Sequence, residues 1–249
     1  MATLTIQNTT CILLPLDTEY GYLYNWWALI GDTTGDGSSN TNLINPTQTN
    51  WELPSSSDFE TLMKSEYVDP AWTNFSNVAG DHLKESGTTY WGSPNTADNS
   101  TGFSARGSAY RNGEVGTFQG IGSTCRFWNS TTFNSTDANV STLDYNTAMF
   151  FTSFVAFYHN FFEYGHPVRF VNNSTSLNHG ETGMYIGNNS KAYPTICIGT
   201  HEWLSANIEE TLYRDDLGNL TPIPYIDNID AADDAEWVAA TAGAYCIHA

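Results

Sequence analysis

The hydrophobic positions in the second fifth of the chain recur at the spacing of one helix face. Leu62 and Met63 follow Phe59 by three and four residues, which is the spacing of one face of an amphipathic helix. Ser57, followed three residues later by Glu60, has the form of a capping box. The pattern therefore predicts a helix that begins near Ser57.

After this region the pattern changes to short aromatic segments separated by turn residues. One short helix is predicted over residues 81–85, ended by Gly87. From Tyr90 onward the segments have the length and composition of strands. The best strand candidates are Phe103–Arg106, Phe118–Ile121, Arg126–Thr131 and Val168–Val171. The sequence therefore predicts an α+β fold of short twisted antiparallel strands with two short helices and long loops.

The last third of the chain opens on residues 172–183, which are rich in Asn, Ser, Thr and Gly and have no apolar period. We predict a linker there. A strand is predicted over Tyr193–Ile198, and a helix or a bend over residues 203–208. Residues 231–242 have helical composition, with Trp237 and Val238 facing inward.

Charge narrows the range of partners. The formal net charge of the 249 residues is -19, and such a field repels phosphate backbones, so we expect no nucleic-acid partner. The apolar runs are too short to span a bilayer, so we expect no membrane insertion. The first residues lack the basic and apolar regions of a signal peptide, which favours a protein made in a cytosol and released by another route, such as cell lysis.

Motifs for catalysis are missing from the sequence. Cys11, Cys125, Cys197 and Cys246 are widely scattered and form no CxxC pair or zinc spacing. The serine hydrolase, zinc protease and P-loop patterns are absent as well, and the six histidines show no ligand spacing. We therefore expect a protein that is not an enzyme.

One polar loop offers weak evidence for a metal. Asp32, Asp36 and Asn40 supply hard oxygen ligands in a glycine-rich stretch, which is what calcium requires. The stretch lacks the full EF-hand pattern, and Gly-Asp loops are commonly turns. We expect no cofactor, with calcium at these three residues as the alternative.

Several short sequence motifs, called phrases below, stand out together. In the middle of the chain they are Trp51-Glu-Leu-Pro, Ala79-Gly-Asp-His-Leu-Lys-Glu-Ser-Gly, Gly102-Phe-Ser-Ala-Arg and Gly165-His-Pro-Val-Arg-Phe-Val. These resemble successive landmarks of the FISUMP domain, a family of bacteria and their phages. The opening phrases of that domain resemble Tyr193-Pro-Thr-Ile-Cys-Ile-Gly-Thr-His-Glu-Trp-Leu-Ser-Ala-Asn and Gly243-Ala-Tyr-Cys, and the next phrase resembles Tyr20-Gly-Tyr-Leu-Tyr-Asn-Trp. In this chain the opening phrases stand at the end.

The resemblance implies a C-type-lectin-like fold in a circularly permuted order. In that fold the first and last strands pair, and close termini tolerate permutation. We expect residues 1–171 to form the core, residues 172–183 a linker, and residues 184–249 a segment that completes the same fold. That segment either pairs Tyr193–Ile198 with Val168–Val171 in its own chain or completes a neighbouring subunit by swapping. The intrachain version has the smaller loop-closure cost and is favoured.

The resemblance also implies where a ligand binds. In lectin-like phage tropism proteins the ligand face is built from residues just before the final strand. The candidates here are Tyr145, Asn146, Tyr158, His159, Asn160 and Tyr164, with Arg111 in a nearby turn. Tyr, Asn and His make adaptable contacts at low entropic cost. The alternative is that these aromatic residues form core or subunit interface and that Arg111 is structural.

The expected function is that of a non-catalytic binding module on a phage particle. As a fibre, spike or capsid-decorating protein made in the host cytoplasm, it would engage a bacterial surface protein or glycan. Its other partners would be virion proteins or copies of itself in a homo-oligomer. One alternative is a cell-surface or secreted bacterial adhesin or carbohydrate-binding protein. The other is a purely structural virion protein.

Overall fold

Short strands and short helices make up the regular structure of the chain. The computed structural model describes residues 18–31, 50–72, 76–151, 159–215, 217–227 and 231–248. The helices of these ranges are α1 (Trp26–Leu29), α2 (Ser56–Lys64), α3 (Ala79–Leu83) and α4 (Ala231–Ala239), preceded by a 3-10 turn at Thr18–Tyr20. The strands are β1 (Leu23–Tyr24), β2 (Trp51–Glu52), β3 (Ser108–Arg111), β4 (Phe118–Ile121), β5 (Thr124–Thr132), β6 (Asp137–Asp144), β7 (Phe150–Phe151), β8 (His159–Phe161), β9 (Val171–Asn172), β10 (Thr182–Ile186), β11 (Ala192–Ile198), β12 (His201–Leu204), β13 (Leu212–Arg214), β14 (Leu220–Pro222) and β15 (Tyr245–Cys246).

Two curled sheets hold most of the strands. One has the order β10-β11-β12-β9-β2, and the other has the order β4-β3-β5-β6-β7, with β8 also paired to β6. Among the described strand pairs all are antiparallel except β3 and β5, which meet in parallel at Ala109 and Cys125. Two further ribbons are β1-β15 and β13-β14. The predicted mixture of short antiparallel strands and short helices is confirmed.

Helix α2 begins earlier than the sequence pattern indicated. Its N-cap is Ser55, whose hydroxyl oxygen accepts the backbone N–H of Asp58 at 3.2 Å, while the Asp58 carboxylate accepts the backbone N–H of Ser55 at 2.7 Å. This is a reciprocal capping box built on Asp instead of the predicted Glu60. The tertiary structure selects this frame because Ser56 is buried and donates to Asn129 of β5 at 3.3 Å. The predicted apolar face of the helix is buried as expected.

The C-terminal segment shares a sheet with the middle of the chain. Strand β12 lies directly beside β9, with Trp203 opposite Val171. We predicted that the strand containing Ile196 would take this place, but that strand, β11, lies one position further out. The reason is a tight hairpin between β11 and β12, which turns the chain back and brings Trp203 to the core side. The residues predicted as a linker include the end of β9 and the start of β10.

That segment also shares a hydrophobic core with the rest of the protein. The Trp203 ring packs against Phe59 of α2 at 5.2 Å and against Phe103 at 5.8 Å between ring centroids. All three side chains are fully buried. At roughly 25 cal/mol per Å² of apolar surface, large aromatic side chains of this kind dominate the energy of a core. Residues from both parts of the chain therefore stabilise one another.

Three local predictions differ from the structure. Residues 103–106, predicted as a strand, contribute only an isolated bridge between Ala105 and Lys84 in the described structure. Residues 203–208 contain the end of β12 followed by a bend at Ser205 and Ala206, so of the helix or bend expected there only the bend forms. Helix α4 ends at Ala239, and Val238 is 36% exposed because the helix buries a single narrow face through Trp237.

The two ends of the described chain lie together. Strands β1 and β15 pair with Leu23 opposite Cys246 and Tyr24 opposite Tyr245. The aromatic rings of this ribbon stack, with Tyr22 and Tyr245 at 5.2 Å. The phrase Tyr20-Gly-Tyr-Leu-Tyr-Asn-Trp is therefore beside the phrase Gly243-Ala-Tyr-Cys in space, although they are far apart in sequence.

Candidate functional site

A polar cleft lies where the β11–β12 hairpin meets the loops that follow α3. Its volume is about 550 Å³. Most of its lining side chains are charged, amide or hydroxyl groups. They are Glu19, Gly21, Glu85, Ser86, Asn99, Ser104, Arg106, Arg169, Pro194, Ser205, Ala206, Asn207 and Glu209. Few apolar side chains reach it, so its floor and walls are held by hydrogen bonds.

The floor is the guanidinium group of Arg169. Its Nε donates to Asn207 Oδ1 at 2.9 Å, and one Nη donates to the carbonyl of Ser104 at 2.8 Å. The other Nη donates to the carbonyls of Phe103 and, at 3.2 Å, Leu204. Burial lowers the pKa of Arg169 to about 9, so the group keeps its charge at neutral pH. This one cation therefore joins the loop after α3 to the C-terminal segment.

Asn207 closes the end of the cleft and requires a glycine beside it. Its Nδ2 donates to the carbonyl of Tyr20 at 2.8 Å while its Oδ1 accepts from Arg169. A Cβ on Gly21 would lie 2.5 Å from the Asn207 Cβ, and Gly21 has φ +75°. Both the close approach and the left-handed backbone favour glycine at this position. The tail and the first described residues are thus held in direct contact at the cleft.

One wall is a stacked arrangement around Arg106. Its guanidinium lies 3.7 Å from the centroid of the Tyr90 ring, donates to Glu85 Oε2 at 2.6 Å and donates to the carbonyl of Glu19 at 2.7 Å. The Tyr90 hydroxyl donates to the Glu19 carboxylate. Because Arg106 and Glu85 are each about a quarter to a third exposed, the ion pair faces the cleft and is partly screened by water.

The opposite rim carries unusual backbone geometry. Asn99 Nδ2 donates to Ser104 Oγ at 2.9 Å, and the backbone N–H of Ser104 donates back to Asn99 Oδ1 at 2.9 Å. Both residues have positive φ, 53° for Asn99 and 56° for Ser104. Non-glycine residues in this region cost free energy and concentrate at functional sites. The strained pair fixes two polar side chains at the cleft.

The charges of the lining nearly cancel. Glu19, Glu85 and Glu209 give three negative charges, and Arg106 and Arg169 give two positive charges, a net of -1. Two of these carboxylates are already paired, Glu85 with Arg106 and Glu209 with Lys191. The lining therefore presents both hydrogen-bond donors and acceptors with little net charge.

Two of the predicted ligand residues meet on a different face, around His166. Asn160 Oδ1 lies 2.9 Å from His166 Nε2, and the Tyr164 ring stacks on His166 at 6.0 Å and on Tyr110 at 6.1 Å. Partial burial raises the pKa of Tyr164, with Glu114 adding to the effect. His166 is fully buried, and burial, together with Arg126, lowers its pKa well below the usual value. This side chain is neutral at neutral pH.

The remaining described candidates of that set lie elsewhere. Asn160 is opposite Ala138 in β6, whereas Tyr145 follows the far end of the same strand, about 23 Å away at 3.3 Å per residue. Asn146 is exposed next to it. The predicted ligand face is therefore divided between the two ends of one strand. Tyr158 lies outside the described residues, and of His159 only the backbone, in β8, is described.

Arg111, the remaining candidate, is completely buried. Its Nε donates to the carbonyl of Gly116 at 2.7 Å, and its Nη atoms donate to the carbonyls of Ile226 and Asp233. The Trp237 ring of α4 covers the guanidinium at 4.7 Å. This placement argues against a ligand contact, since the side chain anchors α4 instead.

The predicted calcium residues Asp32, Asp36 and Asn40 lie outside the described residues. Within the described part, no cluster of three or more His, Cys, Asp or Glu side chains is arranged to hold a metal ion. None of the described helices has the length and apolar character needed to cross a membrane.

Our sequence reasoning missed the cleft, although its signal was present. The quoted phrases supply Gly21, Glu85, Ser86, Ser104, Arg106, Arg169, Pro194, Ser205, Ala206 and Asn207 to the lining. The phrases were used to identify the family and not to locate a site. The aromatic candidates before β9 were chosen from the ligand face that the family resemblance implies, and of them Tyr145 and Tyr164 are half-buried.

Curled antiparallel sheets with a few short helices around a polar cleft define a domain of the α+β class. The chain belongs to the Fibrobacter succinogenes major domain family, whose family model matches residues 14–172. This confirms the family resemblance of the phrases between Tyr20 and Val171. No curated protein and no solved structure matches the chain. The matched segment ends with β9, so the tail residues of the cleft lie beyond it.

Proposed function

We propose that the protein is a non-catalytic binding module whose cleft holds a hydroxylated ligand, such as a sugar unit of a bacterial surface glycan. The observation that carries this proposal is the convergence of the family's phrases on one cleft. Glu85, Arg106 and Arg169 come from three separate phrases of the matched segment, and Asn207 comes from the tail phrase. Residues far apart in sequence meet at one polar opening.

The chemistry of the cleft favours an uncharged polyol. A sugar hydroxyl donates one hydrogen bond and accepts others, and the lining offers amides, carboxylates and guanidinium groups that are already fixed by their neighbours. Fixed groups reduce the entropy that is lost when a ligand binds. The net charge of -1 in the cleft and of -19 on the chain acts against an anionic ligand.

The cysteines of the described residues support a non-catalytic role. Cys125, Cys197 and Cys246 are free and buried. Burial raises the pKa of the Cys125 thiol to about 11 and that of Cys246 to about 12, which leaves almost no thiolate at neutral pH. A thiol in this state is a poor nucleophile.

We also propose that the domain is a circularly permuted C-type-lectin-like fold carried on a phage particle. The permuted order is supported by the tail phrase, which reaches β9 through β12, and by the paired phrases of β1 and β15. The particle setting and the lectin-like fold are supported by the family resemblance. On a particle, the cleft would engage the surface of the bacterial host.

The glycan proposal is tested with Arg106→Gln on a panel of bacterial capsular and lipopolysaccharide glycans, followed by calorimetry on the glycans that bind. We expect binding to weaken about tenfold or more, because a charged hydrogen-bond donor is worth about 1.5–3 kcal/mol. Stability should change by no more than about 1 kcal/mol, since the Glu85 pair is partly exposed.

The matched control is Arg214→Gln. Arg214 is also half-buried and donates to one side-chain oxygen, Asn188 Oδ1, and one carbonyl, that of Gly218, but it does not line the cleft. The Arg214→Gln variant should bind the glycans as tightly as the unmodified protein does. An equal loss of glycan affinity in both variants, or an affinity that Arg106→Gln leaves unchanged, would refute the cleft as the ligand site.

A further inference from the structure

A second opening surrounds a stacked pair of rings on another part of the surface. Tyr67, in the turn after α2, stacks on His179 with 3.2 Å between ring centroids and 10° between ring planes. Tyr67 is 41% exposed. His179 belongs to the connection between β9 and β10, within the residues that the sequence predicted as a linker. We call these two side chains the Tyr67–His179 stack.

The stack is held by the hairpin between β11 and β12. The backbone N–H of Gly199 donates to His179 Nδ1 at 3.3 Å, which fixes the ring against the hairpin turn. Gly199 has φ +65°, and a Cβ there would lie 3.2 Å from Ser65 Oγ. Glycine therefore lets the hairpin turn lie close to the turn after α2.

Two adjoining grooves flank the stack. One has a volume of about 360 Å³ and the other of about 570 Å³, and both are lined by Glu66, Tyr67, Gly199 and Thr200. The first continues to Lys64 and His201, and the second to Thr175, Leu177, Asn178 and His179. An aromatic platform is thus surrounded by carboxylate, amide and hydroxyl groups.

This site is separate from the cleft. Pro194 lines the cleft and Gly199 lines the grooves, five residues apart on β11 and its turn. At about 3.3 Å per residue the two positions are roughly 17 Å apart. One hairpin of the C-terminal segment therefore contributes to two openings at its opposite ends.

We propose that the Tyr67–His179 stack is a second ligand site that binds a single neutral pyranose ring. The face of an aromatic ring is negative, so it attracts the partly positive C–H groups on one face of a sugar. Glu66, Asn178 and Thr200, which line the adjoining grooves, offer hydrogen-bonding groups to the hydroxyl groups of the sugar. The proposal concerns a site distinct from the cleft and does not depend on ligand binding there.

The test follows the backbone amides of the full chain by nuclear magnetic resonance while methyl glucoside, methyl galactoside and methyl mannoside are added. We expect the Gly199 and Thr200 signals to shift with the concentration of at least one glycoside. Tyr67→Ala should abolish these shifts, and Tyr67→Phe, which keeps the ring, should retain them. Arg106→Gln should leave them unchanged, since that residue lies in the cleft.

Tyr225→Ala is the matched control. Tyr225 is 40% exposed and packs against the Tyr245 ring at 5.2 Å in a tilted arrangement, so it matches Tyr67 in exposure and in having one ring neighbour but lines neither groove. Shifts that persist in Tyr67→Ala, or that vanish in Tyr225→Ala as well, overturn the proposal. Shifts confined to Asn99 and Asn207 also overturn it while leaving the cleft proposal standing, and no shift at either site counts against both.

Discussion

Two buried arginines join the C-terminal segment (residues 184–249) to the matched segment (residues 14–172), and they do so in different surroundings. Arg169 donates to Asn207 and Leu204 from the floor of an open cleft. Arg111 donates to Ile226 and Asp233 in a site that the Trp237 ring covers. Both side chains are at most 1% exposed.

The difference shows that burial of a cation does not by itself indicate a site. Each guanidinium satisfies several backbone carbonyls, as a buried charge requires. At Arg111 the indole ring and Asp234 of α4 complete the packing, so no ligand can reach the group. Arg169 packs against aromatic rings as well, with its guanidinium 4.3 Å from the Phe103 ring and 5.3 Å from the Phe127 ring. It nevertheless lines the cleft together with Ser104 and Asn207. Aromatic cover therefore does not distinguish the two arginines, whereas the open space of the cleft beside Arg169 does.

The largest expected effect comes from removing either cation. Arg111→Met and Arg169→Met should each lower the free energy of unfolding by about 3 kcal/mol or more, because buried carbonyls lose their donors at about 1–3 kcal/mol each. Urea unfolding measures this loss as a lower midpoint with an unchanged slope.

Glycan binding measured under native conditions distinguishes the two variants. Arg169→Met should abolish binding in the cleft, whereas Arg111→Met should keep it. If folded Arg111→Met also fails to bind, the region around Arg111 that Trp237 covers, called the sealed region, takes part in recognition. The contrast between the two arginines would then be wrong.

A smaller loss of stability is expected at acidic pH, and it should arise next to the sealed region. Its strand β3 pairs at Arg111 with Gly165, next to His166. Burial lowers the pKa of His166 well below its ordinary value of 6.5, so the unfolded chain binds a proton more readily than the folded one. This contribution to stability is complete above about pH 6.5 and is lost as the pH falls below it.

The check is a series of urea midpoints from neutral to mildly acidic pH. His166→Phe keeps an aromatic ring at this position without a titrating group, and it should flatten the decline. A decline of equal steepness in His166→Phe would show that other groups cause the acid sensitivity.

The smallest effect is expected from a change of chain order that keeps both arginine contacts. A permuted variant that joins Ala249 to Met1 by a Gly/Ser linker and opens the chain between Ser174 and Thr175 should fold. Its stability should stay within about 1 kcal/mol of the original, because Ser174 is exposed and the described ends already lie together.

A second permuted variant, opened between Thr195 and Ile196 inside β11, serves as the control and should not fold. Failure of the first variant, or equal behaviour of the two, would count against the proposal that the two segments are permuted parts of one fold.

The sequence predicted the local elements better than the site. Phe118–Ile121 is the strand that was predicted, and β5 and β11 cover their predicted segments. The start of α2 was displaced because Ser55 with Asp58 and Ser57 with Glu60 both fit a cap, and only the burial of Ser56 distinguishes them. Arg111 was taken for a ligand residue because a turn sequence does not show that a helix more than a hundred residues away will cover it.

By itself, the sequence determined the family, the α+β class and the apolar face of α2, since these depend on local spacing and on phrases that survive rearrangement. Only the tertiary structure decided that Trp203 lies beside Val171, that Arg169 opens on a cleft and that Arg111 is sealed. The physical reason is the distance along the chain over which each effect acts. Hydrophobic period and capping act over a few residues, whereas a cleft is defined by the sizes of side chains that meet from opposite ends of the chain.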